Sequence, residues 1–299
     1  MWSALLHQIQ KGEEKAIARG ISLVENEASG YEEFLQSLPD KQTPIIGITG
    51  PPGAGKSTLV DALIEELVKY ENKVAVLCVD PSSPFNLGAL LGDRIRMSEW
   101  YNHPHVFIRS LATRGSLGGL HPKIIEITGL LKAAPFDYII IETVGVGQSE
   151  IEIAGLADVT VVVVVPESGD EVQTMKAGLM EIADLFVVNK SDRPGADLFV
   201  KNLRLMLSPS FTNQPQEIQV VKTIASQKKG ISEFWKAITS RLQYSRTPHR
   251  KAWLLAERAY QLIQRKRMKD IDKSMLKQKI ETELTNPDFN LYTFIKKFG

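Results

Sequence analysis

The sequence predicts an α/β fold in which a mainly parallel β-sheet is covered by helices on both faces. Seven short apolar runs alternate with stretches of helical periodicity between residues 44 and 245. The runs are apolar at nearly every position, as in "VTVVVVV" at 159–165, which is typical of parallel strands buried on both faces. This alternation favours one large α/β core over separate all-α and all-β parts.

The elements can be placed in chain order. The predicted strands are "IIGITG" (45–50), "VAVLCVD" (74–80), "VFIRS" (106–110), "YIIIET" (138–143), "VTVVVVV" (159–165), "LFVVNK" (185–190) and "IQVVKT" (218–223). Helical periodicity marks 58–70, 121–132, 170–182 and 229–243. Residues 1–43 are a predicted N-terminal helical extension and 246–299 a C-terminal helical arm. In the arm we expect one long helix over 250–281, an interruption at Asn286 and Pro287, and a last short helix within 289–298.

The composition, 43% hydrophobic and 24% charged in 299 residues, is that of an ordinary globular protein. The chain has 36 Lys and Arg against 35 Asp and Glu, so its net charge does not indicate a class of partner. We expect no nucleic-acid partner. Cys78 is the only cysteine, which excludes an intramolecular disulfide and a cysteine metal cage. The charged N-terminus is unlike a signal peptide, and no segment has 18 uncharged apolar residues. We therefore expect a cytoplasmic protein with no membrane segment.

Residues 50–58, "GPPGAGKST", match the phosphate-binding pattern G-x-x-x-x-G-K-[ST] and lie between a predicted strand and a predicted helix. Glycines allow successive backbone N–H groups to face phosphate oxygens, and the helix N-terminus adds the positive end of its dipole. Lys56 is expected to bridge the β- and γ-phosphates, and Ser57 to offer its hydroxyl to Mg²⁺. The core is thus a predicted P-loop NTPase, with phosphate contacts from Gly50, Pro51, Pro52, Gly53, Ala54, Gly55, Lys56, Ser57 and Thr58.

The base is predicted to be guanine because "NKSD" at 189–192 follows a later strand. The Asp192 carboxylate would accept from guanine N1–H and from the exocyclic amine, a donor pair that adenine lacks. Asn189 is expected to bridge to the phosphate loop, and Lys190 to lie along the base and ribose. After the next strand, "TIAS" at 223–226 would offer backbone N–H groups to the guanine oxygen, with Ala225 the best placed.

Six motifs in this order resemble those of one GTPase family: "GPPGAGKST", "DPSSPF…LLGDRIRM", "RGSLGG", "ETVGVGQSE", "GDEVQTMKAGLMEIAD" and "NKSD". The family comprises the GTPases that chaperone adenosylcobalamin-dependent methylmalonyl-CoA mutase and its relatives, a branch of the metallochaperone-type P-loop GTPases. The resemblance is dense over 44–245. It implies a Mg²⁺-dependent switch that cycles between GTP and GDP and gates cofactor loading and protection of an acyl-CoA mutase. It also implies a homodimer through the C-terminal arm; the alternative is that the N-terminal helices cover the apolar residues of the arm.

The resemblance also assigns roles to acids near the phosphates. Glu142 would end the Walker-B strand in an E-x-x-G motif and reach the metal shell or the attacking water. Gly145 would give its N–H to the γ-phosphate, so that the turn is released when that phosphate is lost. Asp80 and Asp93 match the family's other acids, although a turn cap before Pro81 is an alternative interpretation of Asp80. The implied Mg²⁺ ligands are Ser57, Asp80, Asp93 and Glu142.

Residues 167–184, "ESGDEVQTMKAGLMEIAD", correspond to the switch through which this family communicates with its client. By resemblance Lys176 steadies the transition state; the alternative is a surface helix with Val172, Met175 and Leu179 toward the core. The match departs at Ala177, where the family has a second lysine, and at 86–89, where "NLGA" replaces Thr-Gly-Gly-Ser. The catalytic residues implied are Lys56, Glu142 and Lys176.

Two other functions stay open on the sequence. A metallochaperone for nickel or another ion is suggested by the wider class and by His103, His105 and His121. No Cys-x-x-Cys or His-rich tract accompanies these histidines, however, so ordinary structural roles are the alternative. The other function is a small-molecule kinase. Stoichiometric metal binding would favour the metallochaperone, and phosphate transfer to an amino acid would favour the kinase.

Overall fold

The computed structural model describes residues 1–80, 97–113, 120–144, 149–168, 177–207, 218–243, 248–285 and 289–298. The chain divides into two compact units, Met1–Lys251 and Ala252–Gly299. The first unit contains a seven-stranded β-sheet with helices on both of its faces. The described part of the second unit is helical.

All seven predicted strands are present, and every neighbouring pair is parallel, which confirms the predicted α/β class. The order across the sheet is β3-β2-β4-β1-β5-β6-β7. Because the strands are parallel, their carboxyl ends share one edge of the sheet. The strands are β1 (Ile45–Thr49), β2 (Val74–Asp80), β3 (Val106–Ala112), β4 (Tyr138–Glu142), β5 (Val159–Val164), β6 (Leu185–Val188) and β7 (Gln219–Lys222).

The helices of the first unit match the predicted stretches 58–70, 121–132 and 229–243, and the described part of 170–182, residues 177–182, is helical too. Two further helices, Ser149–Leu156 and Ala196–Met206, were not predicted. In chain order the helices are α1 (Trp2–Gln10), α2 (Glu14–Glu25), α3 (Tyr31–Gln36), α4 (Lys56–Val68), α5 (Ile124–Ala133), α6 (Ser149–Leu156), α7 (Ala177–Ile182), α8 (Ala196–Met206) and α9 (Ile231–Leu242).

The core has a layer on each face of the sheet, and alternate strand residues point into opposite layers. In β2, Val76 packs in the layer that holds α4 and α9, whereas Leu77 packs in the layer that holds α1, α2, α3 and α5. The N-terminal helices are therefore part of one of the two layers that bury the sheet. A smaller cluster joins α8 to β5 and β6.

The C-terminal helices differ from the prediction of one helix over 250–281. Helix α10 (Pro248–Arg267) ends at a turn, α11 (Lys273–Glu283) begins after it, and a short α12 (Leu291–Ile295) follows. The break is at 268–272, where the Asp272 side chain accepts from the N–H groups of Ser274 at 2.6 Å and Met275 at 3.0 Å and so starts a new helix. Asn286 and Pro287 lie outside the described residues. None of the described helices is both long and apolar enough to cross a membrane.

Candidate nucleotide-binding site

The candidate site lies at the carboxyl edge of the sheet, where the strand order reverses. β1 lies between β4 and β5, and the chain visits β2, β3 and β4 on one side before it crosses to β5 on the other. In open parallel sheets such a switch point leaves a crevice in which ligands bind. The loops that carry the predicted motifs follow β1, β2, β4 and β6 and therefore start at this edge.

In the tight loop after β1, two glycines occupy positions where a larger residue would clash. Gly50 has φ 137°, and a Cβ there would lie 2.1 Å from the backbone oxygen of Val163. Gly55 has φ 86°, and a Cβ there would lie 2.4 Å from Asn189 Nδ2. Both positions combine positive φ with a close approach of another chain segment, so only glycine fits. The loop is thus pressed against β5 and the NKSD loop.

Lys56 begins α4, and its side chain lies within the loop that precedes it. The ammonium donates to the backbone oxygens of Gly50 at 2.9 Å and Pro51 at 3.1 Å, with the oxygen of Val144 at 3.5 Å. The residue is buried. This places a cation beside the N-terminus of a helix of 13 residues, whose first N–H groups and dipole also favour an anion. The loop can therefore hold a phosphate.

Ser57 and Glu142 meet at the same edge although they are far apart in sequence. The Ser57 hydroxyl donates to Glu142 Oε1 at 2.7 Å, and both side chains are buried. Glu142 is the last residue of β4, which pairs with β1 in the register Ile48↔Glu142. The glutamate is thus presented directly to the loop that follows β1.

A second carboxylate lies on the neighbouring strand. Asp80 is the last residue of β2 and is buried, and β2 pairs with β4 in the register Cys78↔Glu142. A hydroxyl and two carboxylates at adjoining strand ends are hard oxygen donors, and these are the ligands that Mg²⁺ prefers. The donor set therefore fits Mg²⁺. Asp93 and Gly145 lie outside the described residues.

Asn189 links three loops. Its Nδ2 donates to the backbone oxygen of Ala54 at 2.9 Å, which joins the NKSD loop to the phosphate loop. Its Oδ1 accepts from the Thr223 hydroxyl and from the Ala225 N–H, both at 3.1 Å. With 2% of its surface exposed, Asn189 acts from inside the protein. The expected bridge to the phosphate loop is present, and the Ala225 N–H that was expected at the base donates to Asn189 here.

The other residues of the NKSD loop stay at the surface. Lys190 has φ 53°, and its ammonium donates to the backbone oxygen of Gly53 at 2.7 Å. It therefore spans to the phosphate loop, and its expected place along the base and ribose stays a prediction. Asp192 is exposed beside this loop, where a base could reach it. Pro52 and Thr58 are exposed too.

Sequence reasoning missed three threonines at this edge. Thr223 donates to Asn189, and the Thr143 hydroxyl donates to that of Thr49 at 2.9 Å. All three are buried. Thr49 ends β1 and Thr143 directly follows Glu142, so this pair ties the phosphate loop to the β4 loop. A threonine at the end of an apolar run was the available sequence signal.

The remaining predicted residues are not assembled into a metal site. Lys176 lies outside the described residues. His103 Nδ1 accepts from the His105 N–H at 3.2 Å, and His121 Nδ1 accepts from the Lys123 N–H at 3.0 Å. Within the described ranges, no three His, Cys, Asp or Glu side chains form a group able to hold a metal ion. These two bonds are turn contacts, and His121 Nε2 also lies 3.4 Å from Glu25 Oε1.

Comparison with known proteins identifies the family. Residues 17–283 match the model described as methylmalonyl Co-A mutase-associated GTPase MeaB. The chain is 44% identical over 294 residues to a Pyrococcus abyssi protein that is provisionally named a GTPase. The alignment covers 97% of this chain and 89% of that relative. It is 39% identical over 238 residues to the fused isobutyryl-CoA mutase of Geobacillus kaustophilus, over 74% of this chain and 22% of that longer protein.

A solved structure shares the fold. The crystal structure of LAO/AO transport system kinase superposes with a TM-score of 0.66 at 24% identity, over 99% of this chain and 95% of the other. The P-loop and the NKSD motif both lie within the matched residues 17–283, and both follow strands at the same edge of the sheet. The chain therefore belongs to the family of methylmalonyl-CoA mutase-associated P-loop GTPases.

Proposed function

We propose that this GTPase is a Mg²⁺-dependent switch that chaperones an adenosylcobalamin-dependent acyl-CoA mutase. The observation that carries the catalytic part is the buried 2.7 Å bond between Ser57 and Glu142, beside the Lys56 ammonium. It places a hydroxyl and a carboxylate together where the strand order reverses. Ser57, Glu142 and Asp80 would hold the ion, which when bound neutralises charge on the β- and γ-phosphates.

Hydrolysis is the attack of a water on the γ-phosphorus, which breaks the bond to the bridging oxygen and yields GDP and phosphate. The Lys56 ammonium lies at the helix N-terminus and attracts the phosphate oxygens of the substrate. The Glu142 carboxylate can orient the water or accept its proton through the solvent. In this proposal Gly145 donates its backbone N–H to the γ-phosphate. The Lys176 ammonium stabilises the negative charge that develops there in the transition state.

The partner proposal is supported by the family and by a relative. The matched family is described as mutase-associated, and the fused isobutyryl-CoA mutase contains a region similar to this chain. A domain that is fused to a mutase in one protein can act on a separate mutase in another. In this proposal the mutase holds the cobalamin, and the GTPase gates the loading and protection of that cofactor.

A binding experiment with an acyl-CoA mutase of the methylmalonyl-CoA type tests the partner. We expect the immobilised mutase to retain the GTPase with different affinities in its GTP-analogue and GDP states, because a switch must discriminate them. Lys56→Ala should remove this nucleotide dependence. Absence of binding in both nucleotide states, with the mutase folded and active, would overturn the partner assignment.

We also propose that the chain forms a homodimer through the C-terminal arm. Along α10 the spacing of Trp253, Ala256, Tyr260 and Ile263 is that of a helix–helix seam. Trp253, Tyr260 and Ile263 are 55%, 64% and 51% exposed, and Leu255 is also exposed. Large apolar side chains on an exposed helix face are typical of an interface.

The dimer proposal is tested by ending the chain before Pro248. Every described residue of the nucleotide site precedes this point, so the shortened protein should be a monomer that still binds GTP. Light scattering on the full-length and shortened chains measures this. A full-length monomer at micromolar concentration, or a shortened dimer, would contradict the proposal.

A further inference from the structure

Two threonines extend the pairing of β1 and β4 toward the loops of the candidate site. The register Ile48↔Glu142 places Thr49 opposite Thr143, one residue further along each strand. The Thr143 N–H donates to the backbone oxygen of Ile48 at 3.0 Å, and its hydroxyl donates to the Thr49 hydroxyl at 2.9 Å. Only 0% of Thr49 and 1% of Thr143 is exposed, so water does not compete for this bond. A side-chain bond therefore joins the two strand ends in addition to the backbone ladder.

Thr143 lies between two residues that contact side chains of the phosphate loop. Before it, Glu142 accepts from the Ser57 hydroxyl at 2.7 Å. After it, the backbone oxygen of Val144 lies 3.5 Å from the Lys56 ammonium. Because peptide units are planar and stiff, a bond that fixes the middle residue limits the movement of both neighbours. The Thr143 bond thus constrains the Glu142 carboxylate and the Val144 carbonyl at once.

We infer that Thr143, bonded to Thr49, is a positioning residue for GTP hydrolysis that holds Glu142 beside Ser57. The inference rests on the proposed function, in which Glu142 takes part in hydrolysis. Both threonine side chains are buried and their hydroxyls face each other, so they act through Glu142 and not on the nucleotide. Small displacements of a positioned group are costly to a reaction rate. Loss of the bond should therefore slow hydrolysis while the binding of GDP is kept.

Steady-state kinetics and GDP binding on the full-length protein test this role. Thr143→Val keeps the shape of the side chain but removes the donor, so kcat should fall by about fivefold or more while the Kd for GDP changes by less than about twofold. Thr143→Ser keeps the hydroxyl, and its kcat should stay within about twofold of the wild-type value. Thr49→Val should lower kcat as much as Thr143→Val does. The double variant should lose no more than either single variant, because the same bond is lost in all three.

Thr160→Val is the matched control. Thr160 lies in β5 and is also fully buried, but within the described ranges its hydroxyl has no hydrogen-bond partner. The same loss of a hydroxyl at this position should leave kcat within about twofold of the wild-type value. A fall in kcat at Thr160 as large as that at Thr143 would show that any buried threonine of the sheet has this effect, and would overturn the inference.

Denaturant titration of the nucleotide-free proteins separates positioning from stability. Each single valine variant leaves one buried hydroxyl without its partner and should lower the unfolding midpoint. Two facing valines restore an apolar contact, so the double variant should return toward the wild-type midpoint. If Thr143 has a positioning role, kcat of the double variant stays low although its stability recovers.

Three results would overturn the inference while GTP hydrolysis by the wild type stands. They are a wild-type rate in Thr143→Val, a loss in Thr143→Ser equal to that in Thr143→Val, and a kcat that recovers together with stability in the double variant. A wild type that binds and hydrolyses no GTP would instead overturn the proposed function, and this inference with it.

Discussion

The helices at the two ends of the chain look alike in sequence but are stabilised in different ways. The N-terminal helices α1–α3 bury their apolar residues in the layer that covers the sheet, among them Leu5, Ile9, Ile17, Ile21, Val24 and Phe34. In the described part of the second unit, 252–285 and 289–298, only Leu254 and Phe294 are buried hydrophobic residues. The ten large apolar side chains exposed there include Trp253, Tyr260, Leu284 and Tyr292.

Side-chain caps occur in the C-terminal helices and not in the N-terminal ones, the opposite of the distribution of buried residues. Helices α1, α2 and α3 have no side-chain hydrogen bond at their N-caps. By contrast α11 is capped by Asp272, and α12 by Asn290, whose side chain accepts from the Thr293 N–H at 3.1 Å. The N-terminal helices thus depend on tertiary burial, whereas α11 and α12 begin at side-chain caps. An amphipathic pattern shows that a helix has a face to cover, but not what covers it.

The largest expected effect compares two isoleucines. Ile21 is fully buried in α2, and Ile263 in α10 is 51% exposed. Ile21→Ala should lower the free energy of unfolding by about 2–5 kcal/mol, because it leaves a cavity. Ile263→Ala should change it by less than about 0.5 kcal/mol in the dilute protein. Denaturant titration measures both free energies of unfolding. Equal losses of stability would contradict the proposed difference in how the two helical regions are stabilised.

A smaller effect on stability is expected from the loss of a largely buried ion pair, for which an exposed pair is the control. Arg109 Nη2 binds Glu25 Oε2 at 2.9 Å and the Ser22 hydroxyl oxygen at 3.1 Å, and the glutamate side chain is only 10% exposed. Arg109→Met should cost about 1–3 kcal/mol, since it leaves a buried carboxylate without this cation. This contact fixes α2 to β3.

The control for that prediction is Lys297, which pairs with Glu283 in the second unit, where the two side chains are 55% and 37% exposed. Lys297→Met should cost between 0 and about 1 kcal/mol, because water screens an exposed pair. The same unfolding titration applies. A loss at Lys297 as large as that at Arg109 would contradict the contrast between burial and local bonds.

The smallest effect is a pH dependence of the α11 cap. Hydrogen bonds from the Ser274 hydroxyl and from the N–H groups of Met275 and Ser274 hold the pKa of Asp272 below its usual value. Because the folded pKa is lowered, the cap stabilises α11 above the ordinary carboxyl pKa and is lost as the pH falls through the lowered value.

Amide exchange at Ser274 and Met275 measures this loss. Protection should decrease as the solution is acidified, and Asp272→Asn should remove the pH dependence while it keeps an acceptor. No comparable titration is expected at the start of α2, which has no side-chain cap. A cap whose protection is independent of pH in the native chain would show that Asp272 does not hold α11.

Much of the fold could be predicted from local patterns in the sequence. Short apolar runs predicted all seven strands, and five of them are almost entirely buried because helices cover the sheet on both faces. The edge strands β3 and β7 are partly exposed and include polar residues. The break at 268–272 was missed because helical periodicity continues across it. Its signal was Asp272, a residue type that favours N-caps. Helix α8 was also missed, although Phe199, Val200 and Leu203 are buried on one of its faces.

The candidate site was predictable as a set of residues but not as a set of contacts. The order of motifs indicated Ser57 and Glu142, but their 2.7 Å bond depends on β4 lying beside β1. The same holds for Asn189, which meets Ala54 only because β5 and β6 follow β1 across the sheet. Strand order is a property of the whole fold, so residue spacing cannot give it. Motif resemblance supplied roles that geometry alone would not.

The central claim is that the loops joined by Asn189 form a guanine-nucleotide site, and nucleotide competition with Asp192→Asn tests it most directly. The carboxylate of exposed Asp192 should accept from guanine N1–H and the exocyclic amine, whereas an amide can donate to the additional carbonyl of xanthine. The wild type should bind GTP in preference to xanthosine triphosphate. In Asp192→Asn we expect GTP to bind at least about tenfold more weakly and xanthosine triphosphate to bind more tightly. An unchanged preference for GTP in the variant would contradict the account.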